Sequence, residues 1–253
     1  MEMNRFVGKT VLLTGGGDMG LAAVDRLMRE GANVVLTDYS QQVLDECTAA
    51  LKERGLDTDK QLATIVSDVR DIDSCYAVTD FAVEKFGRID VLVTTAGILK
   101  HYPVDEMPEE IWKNVLDINL TGTFHSVKAT VPVMKKQNYG RIVLISSLGG
   151  RKGRPGVAVN YAASKAGVVG LTFALAEELG KWNITVNSIA PGPLNGKMAK
   201  SQDPETQKRL NAGIPLGRIG ECDEVASAIA FLGSDESSWT TGEVLDINGG
   251  LHY

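Results

Sequence analysis

Two rhythms of apolar and polar positions take turns along this chain. Short apolar runs, bounded by Gly, Asp, Asn or Ser, alternate with longer stretches whose apolar positions lie three or four apart. The short runs read as strands buried on both faces, and the longer stretches as amphipathic helices. The pattern predicts strands at 11–13, 33–37, 62–66, 91–93, 141–145, 184–189 and 244–247. It predicts helices at 21–29, 41–54, 71–86, from 108 toward 134, at 166–179 and around 223–232. Regular alternation implies an α/β fold: a doubly wound parallel sheet of about seven strands with helices on both faces. The segment 148–159 reads as a glycine-rich, basic loop, and 195–213 as a looser polar stretch. No repeat or linker divides the chain, so 1–253 is expected to be one domain.

The first strand-to-helix junction carries candidate chemistry. Thr14-Gly15-Gly16-Gly17-Asp18-Met19-Gly20 places Gly15, Gly17 and Gly20 at G-x-G-x-x-G spacing, between a strand and a helix. Such a loop lets backbone approach a pyrophosphate, while the helix N-terminus supplies N–H donors and a positive dipole. The plainer alternative is a glycine turn. Asp38 closes the second strand 18 residues after Gly20, near the ~20 expected of an acid that binds ribose hydroxyls. The plainer alternative here is a loop cap. No Arg or Lys adjoins Asp38, and Asp18 adds negative charge to the loop, a pattern that favours NAD over NADP. Asp38, Asp68 and Gly97 all lie at strand carboxyl ends, where ligands of such sheets bind.

Composition narrows the classes. An apolar content of 43% supports a sizeable core. A net charge of −6 without a basic run argues against a nucleic-acid binder. Met-Glu-Met-Asn-Arg-Phe lacks the apolar core of a signal peptide, and the apolar run 166–176 is too short to cross a bilayer. Cys47, Cys75 and Cys222 match no metal spacing and read as free thiols, so no metal is expected. A soluble, cytoplasmic protein is the expectation.

A second candidate is Asn160-Tyr161-Ala162-Ala163-Ser164-Lys165. Tyr161 and Lys165 are four apart and share a helix face. A phenol titrates near pH ~10, and an ammonium beside it favours the phenolate and lowers that value. Such a pair can exchange a proton with an alcohol or a carbonyl near neutral pH. Alone, the pair is equally an ordinary surface Tyr and Lys.

In order along nearly the whole chain, the Thr14–Gly20 loop, Asp38, Asp68-Val69, Ala96-Gly97, Asn119, Ser147, Tyr161 with Lys165, Pro191-Gly192 and Gly249-Gly250 resemble the single-domain short-chain dehydrogenase/reductase family, with its Rossmann-like fold. The resemblance implies a catalytic set of Asn119, Ser147, Tyr161 and Lys165. In it Tyr161 is the general acid/base. Lys165 tunes Tyr161 and binds the nicotinamide ribose, Ser147 bonds the substrate oxygen, and Asn119 holds a water linking Lys165 to solvent. Ser147 is preferred to Ser146 because Gly150 follows it at the family's spacing. The same resemblance assigns the dinucleotide to Thr14, Gly15, Gly17, Asp18, Met19, Gly20, Asp38, Asp68, Val69, Ala96, Gly97, Tyr161, Lys165, Pro191 and Gly192. Asp68 is either an adenine contact or a helix cap, and Asn119 is either functional or structural.

The chain departs from the family pattern in four places. The glycine loop is one residue short, with Asp18 where a glycine is usual. Thr94-Thr95 replaces Asn-Asn, the first of which normally braces sheet and cofactor. Gly196 stands where a Thr is usual, and the segment between Ser147 and Tyr161 is one residue longer. The family places substrate between loops that here carry Lys100, His101, Arg151, Lys152, Arg154 and Lys197. Ser147 and Tyr161, with Lys100, His101, Arg154 and Lys197, are therefore the candidate substrate contacts. They are suited to an anionic or polar small molecule unless these charges are simply solvated. The leading expectation is an NAD-dependent oxidoreductase interconverting a secondary alcohol and a ketone, assembled as a tetramer or dimer. The alternative is a dinucleotide-binding sensor or scaffold without turnover, motivated by the altered loop. Epimerases and dehydratases of this kind carry an added substrate domain for which 1–253 shows no segment.

Overall fold

A computed structural model describes residues 3–154, 156–196, 205, 208 and 212–252. Seven parallel strands form one sheet in the order β3-β2-β1-β4-β5-β6-β7. They are β1 (Thr10–Thr14), β2 (Asn33–Asp38), β3 (Leu62–Val66), β4 (Val91–Thr94), β5 (Gly140–Ile145), β6 (Ile184–Pro191) and β7 (Val244–Ile247). The helices are α1 (Asp18–Arg29), α2 (Gln41–Glu53), a one-turn α3 (Thr58–Gln61), α4 (Ile72–Phe86), α5 (Glu109–Leu116), α6 (Gly122–Gln137), α7 (Val159–Leu179) and α8 (Cys222–Leu232).

The apolar runs form strands because both faces are covered. Val11, Leu13, Val34 and Leu36 point to a core shared with α1, α2 and α8. Leu12, Val35, Leu92 and Ile142 point to a second core shared with α4, α6 and α7. Period-two alternation thus splits continuous apolar segments between two layers. No described helix is long and apolar enough to cross a membrane.

Strand order reverses at β1, whose neighbours are β2 and β4. The chain leaves β1 toward one edge and returns at β4 toward the other, which opens a crevice at their carboxyl ends. Caps set where each helix begins. Ser40 caps α2 and Asp71 caps α4, each accepting from a backbone N–H in the first turn. Asp68 is therefore not the cap of α4. Its carboxylate takes the Arg70 side chain at 2.5–3.0 Å and the Arg70 N–H.

The helix expected from 108 toward 134 is broken. Asp117–Thr121 forms a π-turn between α5 and α6, in which the Gly122 N–H bonds back to the Asp117 carbonyl. One inserted residue leaves apolar spacing almost unchanged, so periodicity does not reveal it. α7 begins seven residues before the apolar stretch at 166, and takes in Tyr161 and Lys165.

Gly20 shows how tightly this frame is tied: a Cβ there would sit 1.9 Å from the Gly15 carbonyl oxygen. Gly20→Ala is expected to cost about 2–3 kcal/mol through overpacking, read as a lowered unfolding midpoint. An unchanged midpoint would show that α1 docks with slack.

Candidate active site

The crevice is walled on one side by the glycine corner. Gly15 has φ +94°, and a Cβ on it would meet the Ala96 backbone at 2.7 Å. The Gly16 N–H donates to Asp38 Oδ2 at 2.8 Å, and the Ser40 N–H to Asp38 Oδ1 at 3.0 Å. Asp38 thereby fixes the loop to the end of β2, with lone pairs left over on each oxygen. Cys47 Sγ lies 2.8 Å from the Gly16 carbonyl, a second tie that sequence reasoning did not single out. Thr95 Oγ1 is 2.8 Å from the carbonyls of both Thr14 and Gly15. Thr94, in the position expected to brace the sheet, has a buried hydroxyl with no hydrogen-bond partner among the described residues. The brace is Thr95.

The other wall comes from β4, β5 and α7. A cavity of about 270 Å³ is lined by Gly17, Asp18, Met19 and Gly20 of the glycine corner, by Ser147, Tyr161 and Lys165, and by Arg154, Leu99, Ile145, Val157, Pro191 and Gly192. Ser146 Oγ donates to the Lys165 carbonyl at 2.8 Å and so anchors α7 to the end of β5. Ser147 Oγ accepts from the Gly149 N–H at 3.1 Å and hydrogen-bonds Tyr161.

Lys165 is 4% exposed. Its ammonium donates to the Ile145 carbonyl at 2.7 Å, and among the described residues it has no carboxylate partner. Burial lowers its pKa to about 8. Nζ lies 5.9 Å from the Tyr161 ring centroid. Burial also raises the Tyr161 phenol above its ordinary value, against the opposing pulls of the Ser147 hydrogen bond and the Arg154 charge. The Lys165 ammonium is turned to a backbone carbonyl, and on Tyr161 burial outweighs the downward pulls of Ser147 and Arg154.

Asn119 is fully buried in the π-turn. Its amide clamps both backbone groups of Ile98, at 2.8 and 2.9 Å, and donates to Ser164 Oγ at 3.1 Å. The side chain therefore locks the segment after β4 onto α7. A Cβ on Gly97 would lie 3.3 Å from Asn119 Oδ1 and 3.5 Å from Lys165 Nζ, so glycine at 97 keeps the approach to Lys165 open.

The remaining candidates divide. Arg154 lines the cavity. Lys100 and His101 are exposed and lie outside it. Arg151 is 3.3 Å from Asp246, and the Lys152 ammonium bonds the Leu251 carbonyl. Lys197 is outside the described residues. Val69 turns its side chain toward the position of a Gly122 Cβ and its carbonyl to His125 Nδ1, 3.0 Å away. Among the described residues no cluster of His, Cys, Asp and Glu could hold a metal ion.

This arrangement of glycine corner, Tyr, Lys and Ser meets independent matches over nearly the whole chain. A family model described as enoyl-(acyl carrier protein) reductase matches residues 17–252. The chain is 42% identical to the 3-oxoacyl-[acyl-carrier-protein] reductase FabG of Thermotoga maritima, covering 98% of this chain and 99% of that protein. It is 37% identical to the FabG of Vibrio cholerae, covering 97% and 98%. The chain is a short-chain dehydrogenase/reductase. Among solved structures, gox2181 superposes with TM-score 0.93 at 33% identity over 99% of this chain and 98% of that one. Levodione reductase superposes with TM-score 0.91 at 35% identity over 97% and 98%. The family binds a nicotinamide dinucleotide.

In this dehydrogenase/reductase two of the departures meet in space. A Cβ on Gly196 would lie 2.7 Å from Asp18 Oδ2. Asp18 fills space that a side chain at 196 would need, so the two changes compensate sterically at one end of the cleft. Gly196→Thr alone is expected to weaken dinucleotide binding about tenfold, and Asp18→Gly combined with Gly196→Thr to recover most of that loss. Fluorescence titration with dinucleotide reads this, and two losses that simply add would contradict the pairing.

Proposed function

We propose that this protein is an NAD-dependent oxidoreductase that interconverts a secondary alcohol and a ketone, with Tyr161 as general acid/base. The observation that carries the reading is the convergence of Tyr161, Ser147 and the buried Lys165 ammonium in one cleft that ends at the glycine corner. The corner suits a dinucleotide. Gly17 has open space where a side chain would stand, and the N-terminus of α1 faces the cleft. Asp38 has no ion pair among the described residues, so its free lone pairs suit vicinal ribose hydroxyls while its charge opposes a 2′-phosphate. When bound, the nicotinamide supplies or accepts hydride.

The chain's own residues handle the proton and the positioning. Tyr161 Oη gives its proton to the ketone oxygen, or takes one from the alcohol. Ser147 Oγ donates a hydrogen bond to the same oxygen. Lys165, poised near pH 8, holds the nicotinamide ribose and passes protons to and from solvent. Asn119 supports that relay by locking the segment after β4 onto α7, both donors of its side-chain amide being committed to protein partners. Asp68 and the backbone of Val69 would hold the adenine end, and Pro191 and Gly192, which line the cleft, the nicotinamide end. Leu99, Ile145 and Val157 exclude bulk water from the reacting end. The names of the relatives, 3-oxoacyl-[acyl-carrier-protein] reductase and levodione reductase, support the ketone side of the reaction. Residues 1–253 act as one catalytic unit in the cytoplasm, in a homodimer or homotetramer.

Steady-state assays with NAD(H) and NADP(H) on a panel of secondary alcohols and ketones test this. The expected result is kcat/KM on the order of 10²-fold higher with the unphosphorylated dinucleotide. Tyr161→Phe should reduce kcat by about 10²–10⁴-fold while dinucleotide binding persists. Preference for NADP(H) would contradict the reading of Asp38. Binding without turnover across the panel would favour the non-catalytic sensor.

A further inference from the structure

Five basic residues of the candidate substrate loops are described, and their fates differ. Arg151 pairs with Asp246, Lys152 bonds the Leu251 carbonyl, and Lys100 and His101 stand exposed away from the cavity. Arg154 alone, among the described residues of this set, lines the cavity that contains Tyr161, Ser147 and Lys165. It has no hydrogen-bonded or ionic side-chain partner among the described residues, and half-burial lowers its pKa. A guanidinium out of bulk water without a counter-ion is costly unless a ligand supplies one. The Val157 N–H donates to the Arg154 carbonyl at 3.4 Å.

We propose that Arg154 is the specificity-determining residue of this site. It receives an anionic group of the substrate, a carboxylate or a sulfonate, carried a few bonds from the reacting carbonyl or carbinol carbon. The inference rests on the alcohol–ketone reading above and deepens it. Three observations converge. The planar fork of Arg matches the paired oxygens of such groups in two parallel hydrogen bonds. Of the residues lining the cavity Asp18 alone carries a carboxylate and it belongs to the glycine corner, whereas Leu99, Ile145 and Val157 are apolar. Arg154 also stands close enough to Tyr161 for its charge to pull the phenol down, which puts the anion and the reacting oxygen in one small cavity of about 270 Å³. A 3-oxoacyl thioester presents no anion beside its ketone, so this assignment separates the chain's substrate from the one in its FabG relatives' name.

A docked anion also has an electrostatic consequence. It neutralises Arg154, so the phenol loses its downward pull and keeps its proton to higher pH while an anionic ketone is bound. Proton delivery to the ketone oxygen is then matched to the presence of the right substrate.

The test compares matched pairs: 4-oxopentanoate with its methyl ester, and 2-oxopropane-1-sulfonate with the uncharged methyl sulfone of the same skeleton. The readout is the ratio of kcat/KM, anion over neutral, in the wild type and in Arg154→Met. A wild-type ratio on the order of 10² is expected, falling to near unity in the variant, and the carboxylate and sulfonate arms show which anion is preferred. A wild-type ratio at or below one, or a ratio retained in Arg154→Met, would overturn the assignment. Calorimetric titration of the same ligands into the dinucleotide-loaded protein decides independently of turnover. Binding of the anion but not its neutral partner, lost in Arg154→Met, without reaction, keeps the anion site and removes the proposed chemistry. No selective anion binding removes the site itself.

Discussion

The ammonium of Lys165 is buried at the carboxyl end of β5, held by one backbone carbonyl and faced by no carboxylate among the described residues. A bare charge in that position opposes folding, and the surrounding structure has to hold it there. Much of the local architecture does so. The Ser146 hydroxyl ties the Lys165 carbonyl to β5, the Asn119 amide ties α7 to the segment after β4, and the π-turn puts Asn119 within reach of both. The parallel sheet supplies the rest, because a strand covered on both faces has a rigid carboxyl end from which a single carbonyl can be aimed. The consequence is chemical: a lysine whose proton comes off near pH 8 instead of above 10.

Charge in the cleft is organised differently from the simple picture of an ammonium acidifying a neighbouring phenol. Burial raises Tyr161, Ser147 and Arg154 pull against it, and Lys165 faces a carbonyl. A protonated phenol suits donation to a ketone, and both cations line the cavity that holds it. Acidic groups are kept to the far end. Asp38 is fastened to backbone amides and Asp18 lies against Gly196.

The fold is legible in the chain because seven short apolar runs alternate with helical periodicity, and burial of both sheet faces leaves few other arrangements for such runs. Tyr161, Lys165 and the glycine loop are legible because their chemistry sits in local spacing. What depends on tertiary contact is not. Thr95, not Thr94, braces the loop, since only the fold shows which hydroxyl meets the carbonyls of Thr14 and Gly15. The π-turn is silent because one extra residue hardly disturbs apolar periodicity. Asp18 and Gly196 are two separate oddities in sequence and a single steric accommodation in space. The six basic loop residues look alike until the chain closes. Arg151 then finds Asp246 and Lys152 finds Leu251, and Arg154 is left facing the cavity.

The central claim, a buried and unneutralised Lys165, is open to direct observation. In ¹⁵N-lysine-labelled protein, the Nζ resonance absent from Lys165→Met is followed against pH in the dinucleotide-free state. A midpoint near pH 8 is expected for that one lysine. Because its folded value lies below the unfolded one, the wild type should also gain stability relative to Lys165→Met as pH rises from about 8 toward 10.5. A midpoint above pH 10, with no relative gain in stability, would show a solvated or paired ammonium and contradict the account.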